Sequence, residues 1–431
     1  MPTAAYHTLG CKVNQYDTQA MEELLSAAGY ETVPFSADAD VYLVNTCTVT
    51  GTGDKKSLQT VRRLRREHPD SRIILCGCLA QLRGEELLST GADLVLGTQR
   101  RGEIVSLLSQ VIQTGKPLCA VEPLSESTPF ERLCVSRQSE HTRAVLKIQE
   151  GCSNRCTYCV IPLVRGPIRS RPMTDILEES RRLAAAGFCE IVLTGIHLSS
   201  YGRDLPDGTS LAEVIRQLQQ VPGILRIRLG SLEPTVITPE FVSVMQDAKK
   251  ICPQFHLALQ SGSDSVLRRM RRRYNTTQYL RAVDEIRSGF PLAALTTDIL
   301  TGFPGETEAE FCETATMIRR VGFARIHVFP YSPRPHTEAA LMPGQLPDAV
   351  RQERARQLIA VGEETAAVYR RSWQGRETEL LPEEIVGGCW EGYTPEYIRV
   401  RLNPGAGCVS GRPVRILVTS VDQPTVVGEI I

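Results

Sequence analysis

The sequence predicts an α/β protein in three parts: an N-terminal parallel α/β sheet domain, a central partial barrel of six βα units, and a small C-terminal all-β barrel. Three observations lead there. From residue 4 to about 113, short apolar runs alternate with helical patterns, the rhythm of βαβ units around a parallel sheet. From 144 the alternation restarts and lasts longer. After a helical stretch at 347–370 the composition turns rich in Val, Ile, Gly and Pro, with short strand-like runs, which fits a small β-barrel.

In the first part the strand runs are "YHTLG", "VYLVNTC", "RIILCG" and "DLVLGT", separated by the helical "QAMEELLSAAGY", "SLQTVRRLRREH" and "EELLST". Residues 114–143, with Pro and Ser and no clean period, read as a linker. The second part offers "AVLKIQ", "EIVLTG", "LRIRLGS", "FHLALQ", "AALTTDIL" and "RIHVFPYS". Six such units fall short of the eight that close a barrel, and a site is expected at the strands' C-terminal ends. The expected boundaries are 1–113, 114–143, 144–368 and 369–431. At 431 residues the chain exceeds what one core usually organises.

Lys+Arg and Asp+Glu balance at 49 each, so net charge decides nothing about nucleic acid. Local patches do more: "VRRLRREH" (61–68), "RGPIRSR" (165–171) and "LRRMRRRYN" (267–275). The N-terminus lacks a signal-peptide pattern, and no apolar run reaches the ~18 residues of a membrane span. A cytoplasmic protein without a membrane partner is expected. In such a chain, clustered cysteines among the fourteen point to metal binding or catalysis rather than disulfides.

One cluster is "GCSNRCTYCVIP", with Cys152, Cys156 and Cys159 just past a strand at the expected barrel mouth. Three thiolates can hold three irons of a 4Fe-4S cluster and leave the fourth open for chemistry. A structural zinc site or three unconnected buried thiols are the bland alternatives. A second set, Cys11, Cys47 and Cys78, is dispersed, yet each follows a strand run. Separations near one βαβ repeat would bring successive strand ends side by side. On spacing alone a second metal site is the minority reading.

"GCSNRCTYCVIP" resembles the radical S-adenosylmethionine (SAM) signature. "TLGCKVNQYDTQ", "NTCTVTGTGDKKS" and "GCLAQ" resemble the N-terminal domain of the methylthiotransferases, a radical SAM branch. The likeness covers nearly the whole chain and is nearest to the branch acting at C2 of N6-threonylcarbamoyladenosine, tRNA position 37. It implies two 4Fe-4S clusters of three cysteines each, with Cys78 rather than Cys76 as the third auxiliary ligand. It implies SAM used as methyl donor and as radical source, the tRNA anticodon stem-loop as partner, and an external electron donor of flavodoxin type.

Under the same resemblance Tyr158 lies against the adenine of SAM, and Thr194, Gly195, Ser231, Glu233, Gln260 and Ser261 at later strand ends contact SAM. His197 stays unassigned. Arg165, Arg169 and Arg171, with Arg268, Arg269, Arg271, Arg272 and Arg273, are expected near the barrel mouth as phosphate contacts; pairing with the SAM carboxylate or nearby acids is the rival. The C-terminal barrel resembles the TRAM module, which binds RNA. Here residues 371–431 carry six Arg, no Lys and eight Asp+Glu, a net of minus two, the wrong sign for capturing RNA. Either aromatics such as Tyr393 and Tyr397 are expected to grip instead, or the barrel shares the substrate with basic surfaces elsewhere. Alternatives are a methylthiotransferase for isopentenyladenosine tRNA or for a ribosomal-protein aspartate, and a non-catalytic, zinc-stabilised RNA-binding protein.

Overall fold

The computed structural model describes residues 1–136, 142–421 and 425–431. The first sheet is parallel, in the order β2-β1-β3-β4-β5-β6, with β1 Thr3–Thr8, β2 Glu31–Thr32, β3 Val41–Thr46, β4 Arg72–Gly77, β5 Leu94–Val95 and β6 Leu118–Cys119. Its central strands are buried on both faces, Leu43 and Ile74 under one helical layer and Tyr42 and Leu75 under the other. That is why they read as unbroken apolar runs. The edge strands β2 and β6 are two residues long, and β6 lies inside the stretch expected as linker. Residues 137–141 of that stretch lie outside the described residues. "EELLST" forms a 3-10 helix, Gly84–Thr90, rather than an α-helix.

The central part holds β7 Ala144–Glu150, β8 Arg169–Ser170, β9 Glu190–Gly195, β10 Arg226–Leu229, β11 Ser231–Leu232, β12 Gln254–Leu257, β13 Ala294–Thr301 and β14 Arg325–Pro330. β10 and β11 are one strand interrupted at Gly230: β10 pairs with β9, β11 with β12. A parallel bridge from Ile227 to Ile251 joins the two halves, so the sheet curls into a partial barrel of six parallel strands. The short β8 adds antiparallel to the outer edge of β7. Alternation along each strand sends Leu146, Ile191, Ile227, Phe255 and Leu295 outward into the core under the helices. The alternate residues, among them Glu190, Arg228, His256, Asp298 and His327, face a polar lumen.

The last five strands, β15 Glu377–Val386, β16 Cys389–Tyr393, β17 Arg399–Leu402, β18 Val414–Ser420 and β19 Val426–Ile430, close a barrel around Leu380, Val400 and Ile416. It caps the lumen's lower end. Arg228 donates to the Pro395 carbonyl at 2.9 Å and the Thr394 carbonyl at 3.2 Å. Tyr393 and Tyr397 stack on each other at 4.7 Å, with Arg143 over the first ring and Arg228 over the second. Those two rings are committed to this interface, which corrects the expectation that they grip RNA.

The N-terminal sheet is bound to the central barrel through buried charge. Helix Lys12–Ala27 lies along β7 and brings Asp17 to Lys147 at 2.6 Å, to Arg165 at 3.1 Å and to Arg101. Glu150 completes the set, 3.0 Å from Lys147 and 3.1 Å from Arg165. The loop after β14 reaches back as well: Arg334 bonds Thr48 at 2.7 Å and pairs with Asp54. Among the described residues no helix is long and apolar enough to cross a membrane.

Candidate active site: two thiol triads at strand ends

Cys11, Cys47 and Cys78 emerge at the C-terminal edge of the first sheet, directly after β1, β3 and β4. Cys11 caps helix Lys12–Ala27, and Cys78 opens helix Cys78–Arg83. Gly10, at φ +107°, allows the approach. A Cβ there would sit 2.9 Å from the Cys47 Cβ and force the two cysteine loops apart. Asn14 clamps the same loops, its amide donating to the Leu9 carbonyl at 2.7 Å and the Thr46 carbonyl at 2.9 Å. Burial pushes the Cys78 thiol up to about 12; Arg165 opposes, and Cys11 and Cys47 are close enough to add to the rise. Cys76 lies within β4, fully buried in the core.

Cys152, Cys156 and Cys159 occupy the loop after β7. The Asn154 backbone N–H donates to Cys152 Sγ at 3.4 Å. Thr157 anchors the loop across the barrel mouth: its N–H donates to the Met270 carbonyl at 3.2 Å, and its carbonyl accepts from the Ala339 N–H at 2.8 Å. Burial raises Cys152 to about 11 and Cys159 to about 12, with nearby Cys156 adding to each rise. All six thiols are free. Among the described residues no three His, Cys, Asp or Glu side chains gather tightly enough to hold a single ion. Each triad offers sulfur alone, spread over a loop mouth, a donor set that suits an iron-sulfur cluster.

Beside the second triad stands a buried polar cluster. Glu233 accepts from Asn154 at 3.1 Å and Arg272 at 2.9 Å, and pairs with His197 at 3.2 Å. Burial pushes this carboxyl up, but the His197 bond and the Arg272 charge outweigh it and hold it at about 2. Arg272 also donates to Cys156 Sγ at 3.2 Å. Tyr158 packs against the cluster of Val266, Met270, Phe303 and Tyr331.

Other expected SAM contacts fare differently. Thr194 is buried at the end of β9, and Ser231 is exposed. Gly195 makes room for a side chain: a Cβ there would lie 2.8 Å from Gln149 Cβ, and Gln149 accepts from the His197 N–H at 2.6 Å while donating to the Gly151 carbonyl. Gln260, at φ +64°, joins β13 by its backbone, to Asp298 and Leu300. Ser261 is turned from the site. It is fully buried, and its hydroxyl lies 3.3 Å from that of Thr314 on the outer helix Glu308–Val321.

The arginine expectation needs correction too. Arg165, Arg169 and Arg171 are buried. Arg165 serves Asp17, Glu150, Asn14 and, at 3.2 Å, Cys78 Sγ. Arg169 donates to the Arg165 carbonyl at 2.8 Å, and Arg171 pairs with Glu179 at 2.6 Å. Burial keeps all three from phosphate at the surface, and Arg272 is spoken for by Glu233 and Cys156. Arg269 pairs with Glu310, and Arg271, though exposed, pairs with Glu338. Arg268 and Arg273 stay exposed. Asn154, His197 and Gln149 are the residues sequence reasoning missed; their signal was only position, in the cysteine loop or at strand ends.

A model of the "Uncharacterized protein family UPF0004" matches residues 3–97, and one of the Radical SAM superfamily matches residues 146–318. The chain is 40% identical to the threonylcarbamoyladenosine tRNA methylthiotransferase MtaB of Bacillus subtilis, over 100% of this chain and 97% of that one. The chain belongs to the radical SAM methylthiotransferases. The MtaB of Thermotoga maritima is 38% identical to this methylthiotransferase, over 93% of this chain and 91% of that one. A tRNA-2-methylthio-N(6)-dimethylallyladenosine synthase of Moorella thermoacetica is 35% identical, over 98% and 97%. In fold, the methylthiotransferase is similar to the radical SAM methyltransferase TsrM from Kitasatospora setae, solved with cobalamin and a 4Fe-4S cluster (TM-score 0.56, 14% identity, covering 79% of this chain and 77% of that one). As a member of its family the methylthiotransferase uses SAM and 4Fe-4S clusters.

Proposed function

We propose that this enzyme adds a methylthio group at C2 of N6-threonylcarbamoyladenosine, position 37 of tRNA. The observation carrying the reaction is the pair of all-sulfur triads, one at each of two strand-end mouths, fastened to each other by buried charge. The substrate assignment is supported by likeness along the full chain to relatives named for threonylcarbamoyladenosine tRNA. A second reading, the dimethylallyl substrate, draws on the equally long match to the Moorella protein.

In this reading Cys152, Cys156 and Cys159 would hold one 4Fe-4S cluster, and Cys11, Cys47 and Cys78 the other. When bound, the first supplies with SAM a radical able to take hydrogen from an inert C–H, and the second carries sulfur. The chain's own residues orient and shield. Glu233, held ionised and fixed by Asn154, His197 and Arg272, offers a polar edge beside the first triad for the polar groups of SAM. Tyr158 with Phe303 and Met270 forms an apolar wall. Exposed Arg268 and Arg273 meet anticodon stem-loop phosphates. The TRAM-like barrel acts mainly as the lumen's floor. A flavodoxin-type donor supplies electrons from outside, in a cytoplasmic setting.

The test is anaerobic reconstitution with iron and sulfide, then SAM, reductant and tRNA bearing threonylcarbamoyladenosine or isopentenyladenosine, with mass spectrometry of the digested nucleosides. A methylthio gain on the first alone is expected. Gain on the second alone would move the enzyme to the dimethylallyl reading; no gain, with 5′-deoxyadenosine still formed, would remove both substrates.

A further inference from the structure

Lys12 follows Cys11 and starts the helix that lies along β7 and β9. Its ammonium has no hydrogen-bond or ion-pair partner among the described residues. Neighbouring lumen cations do: Arg143 pairs with Glu383 at 2.6 Å, Arg228 with Glu190 at 2.7 Å. Lys12 is open to water, yet enough protein surrounds it that burial lowers its pKa, with Tyr397 and Glu190 pulling against Arg143 and Arg228. It also weighs on His327 of β14. Geometry puts its helix at the lumen: the helix packs on β7 and β9 and brings Asp17 to Lys147 at 2.6 Å, and alternation turns Lys147 to the face opposite outward Leu146. His327 and Tyr397 line a cavity of about 430 Å³ at its lower end. An unpaired, solvent-reachable lysine among paired cations is a site for an anion that arrives from outside.

Higher on the same wall, Phe329 of β14 is 44% exposed, in register with Leu300 of β13, and Leu300 packs with Tyr158 in one cluster. Alternation puts Phe329 on the lumen side with His327. It offers a flat apolar face for a base taken out of its stack.

We infer that Lys12 receives the carboxylate of the threonylcarbamoyl arm and sets the enzyme's preference for an adenosine that carries one. The inference rests on the proposed function. The chemistry of the base agrees with the position. C2, which takes the sulfur, and C6, which bears the arm, are both bonded to N1. A residue next to a sulfur-triad ligand is therefore on the side of the base from which the arm grows. A dimethylallyl arm has no group for Lys12 to meet.

The test measures binding of the reconstituted enzyme to three anticodon stem-loop RNAs, bearing threonylcarbamoyladenosine, its carboxylate methyl ester, or plain adenosine, with iron content determined for each variant. Wild type should prefer the acid over the ester by roughly tenfold or more, the scale of one charge-assisted hydrogen bond. Lys12→Met, at wild-type iron content, should bind acid and ester alike, and Lys12→Arg should restore the preference. A Met variant that still prefers the acid overturns the role of Lys12 and leaves the proposed function standing. Wild type that binds the acid no better than plain adenosine overturns the substrate reading itself, and the inference with it.

Discussion

Arg272 reaches Cys156 Sγ with one N–H at 3.2 Å and Glu233 with another at 2.9 Å; Arg165 does the same for Cys78 Sγ, also at 3.2 Å, with Asp17 and Glu150 as its carboxylates. Each triad thus has one arginine bonded to one of its sulfurs. Hydrogen bonds to ligand sulfur tune a cluster's potential. Arg272→Gln is expected to move the potential of the Cys152/Cys156/Cys159 cluster to more negative values and to slow SAM cleavage without substrate by about 10–100-fold. EPR-monitored redox titration reads the first effect. An unmoved potential would mean the bond is not kept once the cluster is in place.

Arg165 should matter for folding before it matters for anything else. Arg165→Met leaves Asp17 and Glu150 short of a buried cation, at a cost of about 3–5 kcal/mol. Denaturant unfolding of the variant should show that loss.

Arg273 supplies the contrast. It is exposed and has no ion-pair partner among the described residues. Arg273→Ala should leave stability within about 0.5 kcal/mol of wild type and reduce the salt slope of tRNA binding by about one. A slope that does not move would remove Arg273 from the RNA surface.

The contrast also shows what a sequence can and cannot carry. A strand such as "VYLVNT" was legible because a parallel strand covered on both faces is apolar along most of its length. Edge strands of two residues have no period to detect. The cysteine loop was legible because its ligands lie within eight residues. The acids that claim Arg165 are a different matter: Asp17 is far away in sequence and arrives on another sheet's helix. A run of arginines reports local charge, and burial is decided by the partners that folding brings. His197 went unassigned for the same reason, since Glu233 and Asn154 come from separate loops.

Glu310 gives a pH signature. Bonds from Arg269 lead in holding its carboxyl at about 2, with Ser265 and the Thr307 N–H adding to them against burial. Its folded value lies below the model-peptide value of about 4.3, so its contribution is complete above that value and lost as pH falls toward 2. The melting-temperature gap between the metal-free chain and its Glu310→Gln variant should therefore be steady near neutrality and close between about pH 4.3 and 2. A gap independent of pH would show that the ion pair does not form.

Cysteine removal separates the two triads. Cys78→Ala should bring reconstituted iron to about half of wild type and abolish methylthio transfer while 5′-deoxyadenosine formation continues. Iron analysis and product chromatography on one sample check both. Full iron in Cys78→Ala would remove Cys78 from the ligand set.

Asp17, Lys147, Glu150 and Arg165 cross between two parts of the chain that match two separate family models. A hinge needs a surface that can part cheaply, and this one would expose uncompensated charge on both sides. The two sulfur mouths are therefore held at a fixed gauge, like jaws set once and locked. A nucleoside that must meet both has to be turned or drawn between them by its own RNA, so the flexibility that the reaction requires resides in the substrate.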